Sequence, residues 1–437
     1  MKRILTLCLI LGSIASFAGA TVNLSTETWF DYNTLVTAPN GSTASQNINT
    51  NAQLNPGGQF FIGRAYLTLS GDLGTDFYGD PIYERITFDF ANAALSNAAG
   101  LIKYAYFDYD LFKTTYTSVS DDMSQTNSTS LKSIVFSAGI VPVYFGNISF
   151  WQYPLPIKDA VELYKNDSEY YYGEQGPIAS SAQTNYKPGL KVCDSADLGL
   201  MLSGRIIPIE GVTSSLVSYY IQLLNGEGYK NYLNNNGAPY NSYYAATNIN
   251  AGNGGYGNTL TYQFSLFLSP LDGTLIGGSY RVNPYDYADN GNNETYLDLM
   301  VSAKNVMGIP IDFVFQYINE NVTNNWSSGV TTTDPCGNNF NGVVYSVSLG
   351  YGFADWVVEP MIRYDYLNPW TGATNSSGSF QDVSSSILYF GGSIKLDQNN
   401  LTFKPLVGKY LTENGQPSGD WLVWVEFAYK LNFTIWQ

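Results

Sequence analysis

The stretch WLVWVEFAYKLNFTIWQ (421–437) puts an apolar residue at every second position, from Trp421 through Val423, Val425, Phe427, Tyr429, Leu431 and Phe433 to Ile435. The positions between them include Glu426, Ala428, Lys430, Asn432 and Thr434. A period of two describes a β-strand with one apolar and one polar face. The alternation lasts about fourteen residues, whereas strands of soluble sheets run to about five or six. A tilted strand crosses a bilayer in about 9–11 residues, so a run of this length with an unbroken apolar face suits a membrane. Glu426 and Lys430 are then expected to face water, and the apolar positions lipid.

The pattern recurs. Segments of this kind cover 21–32, 59–71, 83–90, 101–111, 131–141, 196–207, 215–224, 259–269, 275–282, 295–304, 309–319, 342–353, 356–367, 385–397, 400–411 and 421–437, sixteen in all. The facing of 101–111 and 131–141 is not decided by alternation, because both parities there are apolar or aromatic. The connections alternate: 33–58 long, 72–82 short, 142–195 very long, 208–214 short, 225–258 long, 270–274 short, and so on to the end. Only 112–130 is longer than its place in the series predicts, and 91–100 shorter. Short turns on one side and long loops on the other are the signature of an outer-membrane barrel. Closing the strands into a barrel satisfies every backbone polar group in lipid and leaves no open edge. A soluble sandwich has no reason to alternate so regularly, and no similarity at a fixed period marks a repeat array. The expected fold is an all-β transmembrane antiparallel barrel of about 16 strands.

The first twenty residues bear on where the chain goes. Lys2 and Arg3 precede an apolar run from Ile4 to Phe17, and Ala18-Gly19-Ala20 follows. This reads as a secretory signal peptide (1–20), leaving 21–437 as the barrel domain. No later stretch is long and apolar enough for a membrane helix. Without Lys2 and Arg3 the chain holds 18 basic against 36 acidic residues, a net charge of −18. So acidic an exported chain is not expected to bind nucleic acid. The chain has 36 Tyr, 23 Phe, 8 Trp and no His. The aromatic load favours a large β protein, and the missing histidine removes Ser-His-Asp catalysis and the common zinc sites. No catalytic residue, metal or cofactor is expected. Cys193 and Cys336 lack a C-x-x-C setting and either form one long-range disulfide or remain free thiols.

Strand parity sorts the charges. The water-facing parity collects Arg64, Arg85, Arg205, Arg281, Lys304, Arg363, Lys395, Lys404 and Lys430, with Asp89, Asp197, Asp298, Asp312, Glu359, Asp365 and Glu426. On the lipid face such residues cost about 2–4 kcal/mol each. Inside, they either guide solutes or cross-link the wall. The connection 142–195 has no extended alternation, and loops of such length are usually functional. Phe150, Trp151, Tyr153, Pro154 and Pro156 argue that it folds against something apolar. It is expected to bend into the lumen and set a constriction offering Lys158, Asp159, Glu162 and Lys165.

The succession FIGRAYLTLSGDL, ITFDF, AYFDYDL, then AGIVPVYFGNISFW before the long third loop and SADLGLMLSGR after it, resembles the phosphate-selective porins of bacterial outer membranes. The likeness covers the chain to about residue 225 and is a pattern of residue types. It implies a sixteen-stranded barrel, usually trimeric, with an anion path lined by arginines and narrowed by lysines. Arg64 and Arg205 match the family's basic positions. The many lumen carboxylates depart from that pattern and bear against phosphate selectivity more than against the barrel.

The expected function is a passive channel in the bacterial outer membrane for small hydrophilic solutes, leaning toward anions such as phosphate. Its partners are then outer-membrane lipid, the solutes, and two further copies in a homotrimer. A general or carbohydrate-type porin without anion preference is the alternative within the class. An adhesin or structural barrel with a plugged lumen is the alternative outside it.

Overall fold

A computed structural model describes residues 22–36, 59–75, 81–90, 101–119, 126–145, 196–206, 216–225, 260–284, 293–323, 340–368, 384–397, 401–413 and 416–436. Its strands are β1 (Val22–Val36), β2 (Gln59–Thr75), β3 (Pro81–Asp89), β4 (Leu101–Val119), β5 (Thr126–Pro142), β6 (Ala196–Ile206), β7 (Val217–Leu224), β8 (Thr261–Leu268) and β9 (Thr274–Pro284). They continue as β10 (Asn293–Lys304), β11 (Ile311–Thr323), β12 (Phe340–Tyr351), β13 (Val358–Asn368), β14 (Ser385–Asp397), β15 (Leu401–Glu413), β16 (Gln416–Pro417) and β17 (Trp421–Trp436). The two-residue β16 only extends the hairpin between its neighbours, so the wall consists of sixteen long strands. Each pairs antiparallel with the next, and β1 pairs with both β2 and β17 from Val22↔Trp436 to Val36↔Trp421. That last ladder closes the sheet into a barrel, and no edge strand is left.

The two faces are inverted relative to a soluble protein. Along β8, Tyr262, Phe264, Leu266 and Leu268 are exposed, while Thr261, Gln263, Ser265 and Phe267 are buried. The same holds on β10, where Leu297, Leu299 and Val301 lie outside and Tyr296, Asp298 and Met300 inside. An apolar exterior with polar groups turned inward is stable only in lipid. Among the described residues no helix is long and apolar enough to cross a membrane, and the crossings are made by strands. The protein is therefore a transmembrane barrel of the bacterial outer-membrane type.

Strand bounds correct the sequence reading at one connection. Residues 112–130 are not a loop: β4 runs on to Val119, β5 begins at Thr126, and the two stay paired from Lys113↔Lys132 to Val119↔Thr126. The connection is 120–125, a short turn, which restores the long–short series. Thr and Ser dominate these extensions and give little apolar alternation, so the pairing left no trace in the periodicity.

Register also settles β4 and β5. Tyr106 opposes Arg85 and Gly139, and Asp108 opposes Tyr83 and Ser137. Tyr104, Tyr106 and Asp108 therefore share the inner face with Ser137 and Val141, and Phe107 and Phe136 face outward. A register shift between Thr87 and Phe88 leaves Lys103 as an extra residue on β4. It turns the Lys103 ammonium inward, where it donates to the Tyr66 hydroxyl at 2.9 Å.

Candidate functional site: the lumen wall and the entry of the third loop

The inner wall carries the basic residues that parity assigned to it, in three different settings. The first is neutralised. Lys304 Nζ lies 2.5 Å from Asp312 Oδ2 and 3.1 Å from Glu359 Oε1, Arg363 Nε 2.6 Å from Asp365 Oδ1, and Lys404 Nζ 2.6 Å from Glu426 Oε1. Lys304 opposes Asp312 and Lys404 opposes Glu426 in the register, Arg363 and Asp365 lie two apart on β13, and Glu359 reaches Lys304 from β13, three strands from β10. Trp356 holds its ring 4.4 Å from Lys304 Nζ. It sits in a turn where Ala354, Asp355 and Trp356 all have positive φ.

The second setting is a buried ladder. Gln222, Gln263 and Arg281 lie directly opposite one another on β7, β8 and β9. Arg281 Nη1 donates to Gln263 Oε1 at 3.3 Å, Gln263 Nε2 to Gln222 Oε1 at 2.8 Å, and Gln222 Nε2 to the Pro142 carbonyl at 2.7 Å. All three side chains are buried, Arg281 to 1% exposure, so this guanidinium is a strut within the wall. Next to it Gln316 Nε2 donates to Asp298 Oδ1 at 2.6 Å.

That ladder grips the chain as it leaves β5. The Tyr144 N–H donates to Gln222 Oε1 at 2.9 Å, and the Ser265 hydroxyl donates to the Tyr144 carbonyl at 2.5 Å. The Tyr144 ring stacks on Tyr220, centroids 4.0 Å apart and planes 12° apart. Phe145 reaches Tyr296 on β10, edge to face at 6.4 Å. Val143 to Phe145, the described start of the third loop, thus run sideways over the inner wall from β5 toward β10. The remainder of that loop, with Lys158, Asp159, Glu162, Lys165 and Cys193, lies outside the described residues, as does Cys336.

Arg85 and Arg205 occupy the third setting. Arg85 Nε donates to Thr87 Oγ1 at 3.1 Å, its Cζ lies 4.6 Å from the Tyr104 ring centre, and Tyr106 stands directly opposite it in the register. Arg205 is exposed near the end of β6, opposite Ser218 and two residues beyond the Ser203↔Tyr220 pair. Tyr144 lies within electrostatic reach of Tyr220, Tyr106, Tyr104 and Asp108. Two groups of phenols result, Tyr104 and Tyr106 beside Arg85, and Tyr144 stacked on Tyr220. In the register Arg64 opposes Trp29, and Lys395 opposes Thr402.

Several residues of this wall escaped the sequence reading. Lys103, Tyr104 and Tyr106 gave no parity signal, since β4 is aromatic on both faces, and Tyr144 lies beyond the alternating part of β5. The inner face is also not polar throughout. Ile387, Tyr389, Leu406, Tyr410, Leu422 and Trp424 form a buried apolar cluster on β14, β15 and β17, with Met361 against it. The expected polar face of the last strand thus begins only at Glu426, and WLVWV (421–425), apolar at every position, was its visible sign.

No family model matches the chain, and no curated relative matches it. Among solved structures, it is similar to Salmonella typhi OmpF in complex with daunomycin, at 13% identity and TM-score 0.49 over 94% of this chain and 97% of that one. It is similar to the outer membrane channel DcaP of Acinetobacter baumannii, at 12% identity and TM-score 0.49 over 95% and 99%. The trimer form of Vibrio cholerae OmpT aligns at 10% identity and TM-score 0.46 over 94% and 99%. The barrel assignment rests on the strand pairing of this chain itself.

Proposed function

We propose that this barrel is a passive porin of the outer membrane, passing small hydrophilic solutes with a preference for anions. One observation carries the preference. Lys304, Arg363 and Lys404 are held by carboxylates, whereas Arg85 and Arg205 make no ion pair among the described residues, and Arg85 donates to the Thr87 hydroxyl and lies against the Tyr104 ring. Both keep surface open to the lumen beside the entry of the third loop. The acidic total of the chain counts for less, because charges beyond about 8 Å are screened at physiological salt. Arg64, which strand parity assigns to the water-facing side, and the loop residues Lys158 and Lys165 extend the same basic strip in this reading. Assembly as a homotrimer, which the resemblance to phosphate-selective porins implies, belongs to the proposal.

The test is the zero-current potential of single channels in a salt gradient. An anion-preferring potential that moves toward cation preference when Arg85 and Arg205 are both changed to Gln supports the reading. A cation-preferring wild-type channel overturns it in favour of a general porin, and absence of conductance favours a plugged adhesin-type barrel.

A further inference from the structure

We infer that Lys409 and Trp421, on the outer face of the barrel, form a headgroup site for an anionic, phosphate-bearing lipid of the surrounding membrane, with an apolar track beside them for its acyl chains. The site lies on the exterior and does not depend on which ions the lumen passes.

Lys409 departs from the rule that turns charge inward in this wall. On β15, Leu406 and Tyr410 are buried in the inner apolar cluster, while Val407 and Leu411 are exposed on the opposite side. Lys409 shares the parity of Val407 and Leu411, so its side chain points outward. Arg85, Arg281, Lys304, Arg363 and Lys404 lie on the inner face. Lys409 makes no ion pair among the described residues. A lysine is tolerated on the lipid face near the interface, where its long stem carries the ammonium to the headgroups.

The height of this pair fits a headgroup. Trp421 stands directly opposite Lys409, is the first residue of β17, and pairs with Val36, the last of β1. The row thus lies at the end of two wall strands, where hydrocarbon gives way to headgroups. Lys409 Nζ lies 5.5 Å from the centre of the exposed Trp421 ring. An exposed indole belongs at that boundary, with its body in lipid and its N–H toward the polar side. Ammonium and indole donate hydrogen bonds and accept none, so their occupant brings acceptor oxygens and negative charge, as a lipid phosphate does. Toward the membrane centre Val407 opposes Phe390 and Val423, and Leu388 opposes Lys409 itself. These side chains give an acyl chain a continuous apolar path.

A second copy of this chain is a poorer occupant. Glu84 is a carboxylate on the outer face, opposite Phe107, but it sits near the start of β3, whereas Lys409 sits near the end of β15. Four antiparallel ladders separate β3 from β15, by way of β2, β1 and β17, so these two strands run in the same direction. Glu84 and Lys409 therefore lie at opposite rims, and no rotation about the membrane normal brings one copy's carboxylate to the other's ammonium.

The experiment is native mass spectrometry of the detergent-solubilised full-length protein, titrated separately with dioleoylphosphatidylglycerol and dioleoylphosphatidylcholine. The two lipids share their acyl chains and differ in net charge. The wild type is expected to bind the first about fivefold tighter, the effect of one lysine beside an anionic lipid surface. Lys409→Gln is expected to remove that preference, and Lys409→Arg to keep it. Glycerol phosphate, which has the charge without the chains, is expected not to displace the lipid at equal concentration. Equal affinities in the wild type, or an unchanged preference in Lys409→Gln, overturn the site. Displacement by glycerol phosphate overturns the lipid assignment in favour of a soluble anion. The same spectra report assembly, and an oligomer lost in Lys409→Gln gives this face to a second copy and overturns the inference as well.

Discussion

The side-chain carbonyl of Gln222 accepts the backbone N–H of Tyr144 at 2.9 Å, while the amide of the same Gln222 donates to the Pro142 carbonyl at 2.7 Å. One buried side chain thus clasps the chain on both sides of Val143 and holds it against the inner wall. Changing Gln222 to Leu leaves two backbone groups and the Gln263 amide without their partner, at about 1–3 kcal/mol for each group that stays dry. The expected outcome is a lower urea midpoint together with larger, noisier single-channel conductance. Unchanged conductance would show that the entry of the third loop is held elsewhere.

Lys404 and Glu426 form a directly opposed pair on β15 and β17, next to the ladder that closes the barrel. Glu426 is fully buried. Lys404→Met strands that carboxylate and is expected to cost about 3–5 kcal/mol. Adding Glu426→Gln should recover most of the loss, because the cost is that of an uncompensated buried charge. Urea unfolding of the two single variants and the double variant checks this, and additive losses would mean that the pair does not interact.

Gly139 sits in mid-strand with φ +121°, and a Cβ there would lie 2.1 Å from the Ala105 carbonyl. That atom belongs to the backbone of β4 and cannot move without breaking the ladder. Gly139→Ala is expected to cost at least about 2–3 kcal/mol, from the disfavoured φ and the overpacking together. The readout is the fraction of protein inserted in the outer membrane and its urea midpoint. A wild-type midpoint would show that the two strands part easily here.

The long–short series of connections predicts sidedness. In a Cys193→Ser/Cys336→Ser background, Pro417→Cys lies at a long-loop end and Met307→Cys at a short turn, where Met307 is 86% exposed. A polymer-bearing maleimide too large for the pore is expected to label the first on intact cells and the second only after the outer membrane is permeabilised. The reverse result would invert the barrel.

Alternation alone determined that the chain is a closed membrane barrel, and it placed Arg281, Asp298, Lys304, Arg363, Lys404 and Glu426 on the inner face. It could do so because facing is a local property: each residue's side is fixed by counting in twos along its own strand. What those residues do there was decided by register between strands distant in sequence. Lys304 meets Glu359 across 55 residues and Gln222 meets Pro142 across 80, and no period along the chain records either contact. One extra residue opposite Thr87 and Phe88 was enough to turn Lys103 inward against the count. Arg281 and Arg205 look alike to parity. Only packing seals the first into the wall and leaves the second exposed, because burial depends on what the rest of the barrel brings alongside.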